Sequence, residues 1–167
     1  MRIHSDSFEP GQPIPARYAA GAPDGFGGNR NPHLAWDDVP EGTRAFALLC
    51  IDPDAPTDPS LAGKDGVEIP VEHPRGPFVH WVMVDIPASV GEIAPGSCSD
   101  GFVVKGKTTP AGPAGSRQGL NDFTGWFAGA MDQILQAQGS SIRTVAEQVY
   151  GASQEGHDHG LFRVKPL

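Results

Sequence analysis

Two hydrophobic runs organise the chain, Ala45 to Ile51 and Phe78 to Ile86, and each has the length of a strand. In the first, residues 45, 47, 49 and 51 are apolar and so are 46, 48 and 50, which predicts a strand over roughly 43 to 51 with both faces covered. The second places Phe78, Val82, Val84 and Ile86 on one face with His80, and Val79, Trp81 and Met83 on the other. These are the expected core strands. Before them, residues 1 to 30 are polar and glycine-rich and read as an edge strand and loops. Asn31 to Trp36 follows, and Asp37-Asp38-Val39-Pro40-Glu41-Gly42 is a turn.

Between the core strands lies a polar, proline-bearing segment, Thr57 to Pro77, long enough without a periodic pattern to predict a flap. After Pro87 the pattern predicts a short strand near Gly101 to Lys105, then a Gly/Pro/Ala-rich stretch over 106 to 119. The last forty residues change period. Met131, Ile134, Leu135, Ile142, Val145 and Val149 recur at helical spacing, which predicts one or two amphipathic helices broken near Gly139, with Ser140 or Ser141 as N-cap. Leu161 to Lys165 is a candidate closing strand, and no internal repeat is visible.

Composition narrows the class. With 167 residues, one domain is expected, and 22 glycines with 17 prolines favour a turn-rich, mainly β chain. The net charge of −8 argues against nucleic acid and anionic membrane surfaces as partners, since no basic stripe exists to displace counterions. The N-terminus lacks the apolar core of a signal peptide and no run reaches the length of a membrane span, so a cytoplasmic protein without stable membrane insertion is expected. Cys50 in a strand and Cys98 in a loop are read as free thiols.

The chemistry concentrates where the first core strand ends, at Asp52-Pro53-Asp54-Ala55-Pro56. The two prolines restrict φ on either side of Asp54. His80 lies among apolar neighbours and needs a partner for at least one ring nitrogen, and Asp52 is the candidate. A carboxylate that orients an imidazole toward a bound oxyanion is one reading of the pair. The other is a core histidine satisfied by a backbone carbonyl and an Asp that caps its own turn; residue types alone favour this plainer reading.

The ordered motifs Asn31-Pro-His-Leu-Ala-Trp36, Asp52-Pro-Asp-Ala-Pro56 and His80-Trp-Val-Met-Val-Asp-Ile-Pro87 resemble the signature of the phosphatidylethanolamine-binding protein family, nearest its bacterial Raf-kinase-inhibitor-like branch. Gly115 to Phe123 and Gly125-Trp-Phe127 resemble that branch's next block, so the likeness covers about residues 1 to 128. It implies a two-sheet antiparallel β-sandwich with peripheral short helices, and a small anion pocket that binds phosphate-type head groups without an established reaction. It further implies Asp52 and His80 as pocket residues, with Asp54, Pro56 and Trp81 shaping the wall and Trp36 in the core beneath. No cofactor or metal is implied.

The likeness stops where the family continues into a Gly-Tyr-x-Gly-Pro-x-Pro-Pro segment and a His-Arg-Tyr-x-Phe strand that brings another histidine and a tyrosine to the pocket. Residues 129 to 167 read instead as a divergent helical tail ending in Gly156-His-Asp-His-Gly160, a replaced or truncated C-terminal third. A missing strand predicts unpaired sheet edges, which a partner chain such as a second copy would cover. His157 and His159 share a spacing that suits a metal, but their glycine-flanked position favours a solvated loop. His33 and His73 are read as loop residues, with His33, inside a family motif, able to approach the pocket. Three functions follow as expectations: a binder of small phosphate-type anions or phospholipid head groups that regulates a protein target; an inhibitor or scaffold acting through the 57 to 77 loop with a vestigial pocket; and, ranked last, a hydrolase using His80 and Asp52. Ser97, Cys98 and Ser99 lack a nucleophile motif, so no enzyme is expected. Substitution at Asp52 should abolish the first activity and spare the second. If an imidazolium at His80 is the contact, phosphate binding should tighten as pH falls.

Overall fold

The computed structural model describes residues 1–19, 21–22, 25–26, 28–61, 67–100, 110, 112–119, 121–122 and 161–166. Among the described residues nine strands run in chain order: β1 (Arg2–His4), β2 (Gly21–Ala22), β3 (Gly25–Phe26), β4 (Leu34–Asp37), β5 (Ala45–Pro56), β6 (Arg75–Pro87), β7 (Glu92–Ile93), β8 (Arg117–Gln118) and β9 (Leu161–Pro166). They form a three-stranded sheet, β1-β4-β7, a four-stranded sheet, β8-β6-β5-β9, and the small ribbon β2-β3, and every ladder is antiparallel.

The core lies between the two larger sheets. Leu34 and Trp36 of β4 and Ile93 of β7 meet Phe46 and Leu48 of β5 and Met83 and Ile86 of β6. Trp36 packs edge-on against Phe46, with ring centroids 5.4 Å apart, an arrangement that aligns ring edge with ring face. This is the expected sandwich, mainly β, with Trp36 in its interior. The tail helices expected over residues 131–149 and the strand expected over 101–105 lie outside the described residues. Among the described residues no helix is long and apolar enough to cross a membrane.

Two expectations about the core strands are corrected. Phe46 and Leu48 are fully buried, whereas Ala45, Ala47, Leu49 and Ile51 are only half-buried, so one face of β5 carries the core. In β6, Met83 and Ile86 enter the same core although strict alternation separates them. The cause is a register shift between Phe46↔Ile86 and Leu48↔Met83, which leaves one extra residue in β6. Asp85 sits in this stretch at φ 56, so the bulge swings the strand's last residues by half a period.

Strand ends also differ from expectation. β5 does not stop at Asp52 but continues to Pro56, paired with Arg75 and Gly76. Pro53 has no N–H to offer a ladder, and the Asp54 N–H turns back to Asp52 Oδ1 at 2.8 Å. A bulge absorbs both, and pairing resumes at Ala55↔Gly76. The loop is shorter than the expected flap, since Arg75, Gly76 and Pro77 belong to β6. Its neck is tied: Thr57 N–H donates to the Pro74 carbonyl, and His73 Nε2 lies 3.0 Å from the Asp58 carbonyl. Arg75 donates to the carbonyls of Asp54, Pro70 and Val71. Ile69 of the same loop is buried.

The expected open edge is also revised. β9 pairs with β5 from Phe46↔Pro166 to Ile51↔Leu161, so the side of β5 opposite β6 is occupied by this chain's own last strand.

Candidate functional site

Asp52 lies directly across the ladder from Phe78. His80 Nε2 stands 3.9 Å from Asp52 Oδ2, with both side chains mostly shielded from solvent. The approach depends on a second irregularity. Cys50 pairs with Trp81 and the next residue, Ile51, with Val79, which makes His80 an extra residue in β6. Counting alternately from the core-facing Met83, His80 would point away from the face that Phe46, Leu48, Cys50 and Asp52 share; the bulge re-aims it. The Phe78 ring leans on the imidazole, centroids 4.9 Å apart, and fixes its second side.

The plain reading of Asp52, an Asp that caps its own turn, is also realised. The Asp52 carboxylate does cap the Asp54 N–H. At the same time its other oxygen faces the imidazole, so turn-capping and histidine-orienting are one arrangement.

An open cleft of about 320 Å³ lies next to Phe78, the residue opposite Asp52, though neither Asp52 nor His80 lines it. It runs between the Ala55-Pro56-Thr57 end of β5 and the Gly76-Pro77-Phe78 start of β6, and Asp122 also lines it. Its walls are chiefly apolar side chains and backbone, and Phe78 is the residue common to the cleft and the Asp52–His80 pair.

Of the residues expected at the pocket, Asp52, His80 and Pro56 come together around Phe78. Asp54 is exposed, and its carbonyl accepts from Arg75 Nη1. Trp81, expected in the wall, packs against the core, and its indole N–H donates to Gln118 Oε1 at 2.8 Å. His33, expected within reach of the pocket, is held on the other sheet. Its Nδ1 accepts the Asp6 N–H, and its Nε2 lies 3.8 Å from Glu92 Oε2. His73 belongs to the loop neck. His157 and His159 lie outside the described residues, and among the described residues no group of three metal-ligating side chains converges.

Cys50 and Cys98 are free thiols. Burial first, and then the Asp52 carboxylate, push the Cys50 thiol up to about 12, so it stays protonated and unreactive beside the site.

The sequence reading assigned no role to Gln118, Asn121 and Asp122. Asn121 Nδ2 donates to the His80 carbonyl at 2.9 Å, and Asp122 Oδ2 accepts the Val79 N–H at 2.8 Å. The signal available was the adjacent Asn-Asp pair itself, the residue types whose short side chains most readily bond backbone.

The described residues thus form a sandwich of two antiparallel sheets with an acid–imidazole pair near a small cleft. The model of the family described as phosphatidylethanolamine-binding protein matches residues 4–138, ten residues past the point where the motif likeness ended. The chain belongs to that family. A UPF0098 protein of Aquifex aeolicus is 34% identical over 125 residues, covering 74% of this chain and 53% of the relative. YbhB of Escherichia coli, also a UPF0098 protein, is 33% identical over 123 residues, covering 74% of this chain and 62% of the relative. The crystal structure of Escherichia coli YbcL, described as a new member of the mammalian family, superposes with a TM-score of 0.50 at 30% identity, covering 73% of this chain and 60% of that one. The chain thus spans about half to three-fifths of the length of these relatives.

Proposed function

We propose that this protein binds small phosphate-type anions, free or as a phospholipid head group, at the Asp52–His80 pair, and that occupancy rather than chemistry is its output, read by a protein target. The observation that carries this reading is the 3.9 Å approach of His80 to Asp52 near an open cleft. A histidine ring oriented by a carboxylate presents an N–H to an oxyanion. Asp52 at the ring and Asp122 in the cleft wall add negative charge where an anion approaches, which favours a monoanionic phosphate or phosphodiester over a dianion.

Binding without catalysis is supported by what the hydroxyls do. Ser97 donates to the Ala94 carbonyl and Ser99 to the Asn29 carbonyl, so neither is engaged by a histidine base.

The test is an amide NMR titration with inorganic phosphate and with O-phosphorylethanolamine. Saturable shifts confined to residues flanking Asp52 and His80 are expected with either probe. A well-dispersed spectrum that does not move with either would overturn the reading and leave the 57–77 loop as the working surface of a scaffold.

A further inference from the structure

The Asn121–Asp122 pair does what a neighbouring strand would otherwise do. β8 pairs with β6 at Val84↔Arg117 and Met83↔Gln118, and the Gly119 N–H continues the register to the Val82 carbonyl at 2.9 Å. Extended in the same register, Asn121 stands beside His80 and Asp122 beside Val79. At these two positions the bonds to β6 come from side chains: Asn121 Nδ2 to the His80 carbonyl and Asp122 Oδ2 from the Val79 N–H.

Side chains are needed here for a geometric reason. In a regular strand, successive residues turn their backbone polar groups to opposite edges. At the His80 bulge, Val79 N–H and His80 C=O both face the 117–122 segment, so two consecutive residues ask for partners on one edge. A backbone ladder supplies partners only to alternate residues; two adjacent short side chains, one donor and one acceptor, supply both.

We propose that Asn121 and Asp122 are positioning residues: by clamping the two peptide groups that flank the bulge, they hold the His80 imidazole in its Asp52-facing orientation. The inference rests on the phosphate-binding reading for its consequence, but not for its geometry. If the clamp is loosened, the imidazole populates other orientations and apparent phosphate affinity falls with the competent fraction. Asp122 plays a second and opposite part, since its carboxylate also lines the cleft that an anion approaches.

Three variants separate these effects. Asp122→Asn keeps an acceptor for the Val79 N–H and removes the charge. Asp122→Ala removes both. Asn121→Asp keeps size and loses the donor to the His80 carbonyl. Two readouts are taken for each: the His80 Cε1–H resonance in the protein without added ligand, and the phosphate affinity as a function of pH.

The expected result is a sharp, single His80 resonance in the parent and in Asp122→Asn, with phosphate bound more tightly in that variant, which has lost the opposing charge. Asp122→Ala and Asn121→Asp should broaden or split the resonance and weaken phosphate by about three- to tenfold, the range a competent fraction cut to between a third and a tenth gives. An unchanged His80 resonance together with unchanged phosphate affinity in both of those variants would overturn the clamp. Loss of the whole fold in either would overturn it too, in favour of a purely structural role. If the parent binds no phosphate, the functional reading falls, while the His80 resonance still decides the clamp.

Discussion

His80 faces Asp52 across 3.9 Å because β6 holds one residue more than β5 does between Trp81↔Cys50 and Val79↔Ile51. The site therefore depends on a defect in strand pairing. Regular alternation would have sent the histidine to the opposite face and left the carboxylate to its turn.

Asp52→Asn should preserve the turn, because the amide oxygen still accepts the Asp54 N–H. It removes the negative charge that faces the imidazole. Phosphate affinity is expected to fall about two- to fivefold as the ring loses the group that orients it. Calorimetric titrations of parent and variant check this; equal affinities would exclude the Asp52–His80 pair as the contact.

The Cys50 thiol predicts a stability loss in alkali. Its value is raised from 9.0 to about 12, chiefly by burial. A raised value means the folded state holds the proton more tightly than the unfolded chain, so the contribution is complete below about pH 9 and is lost as pH climbs toward 12. Urea unfolding at a series of pH values should show a decline above pH 9 that is shallower in Cys50→Ala. Neutral-pH alkylation of Cys50 should proceed only in denaturant.

Phe46 is fully buried and meets Trp36 edge-on. Phe46→Ala leaves a cavity between the sheets and should cost about 3–5 kcal/mol. A drop in the urea midpoint at unchanged slope is the expected signature. A cost under about 1 kcal/mol would mean that this contact does not hold the sheets together.

Gly28 has no room for a side chain: a Cβ there would lie 2.3 Å from the Arg17 backbone oxygen. The two segments are tied by Gly28 N–H to the Ala16 carbonyl and Arg30 N–H to the Arg17 carbonyl, so backbone must move to relieve the clash. Gly28→Ala should destabilise by about 1–3 kcal/mol, measured by thermal unfolding.

Much of this protein was determined by its sequence alone. Two apolar runs of strand length were sufficient for the core strands, and three ordered motifs for the family, because burial and turn chemistry act residue by residue. The pairing of Asp52 with His80 could be named, since a shielded imidazole beside an acidic turn has few other partners. Tertiary structure alone decided which way these side chains point. Bulges at Asp85, at His80 and after Asp52 are mismatches between two strands, and neither strand's periodicity carries them. Hence the sequence reading placed Ile86 on the His80 face and put Trp81 in the pocket wall, whereas Ile86 and Trp81 both turn to the core. The Asn121–Asp122 clamp was equally illegible, because its worth lies in two backbone groups about forty residues upstream that only the folded register brings to the same edge.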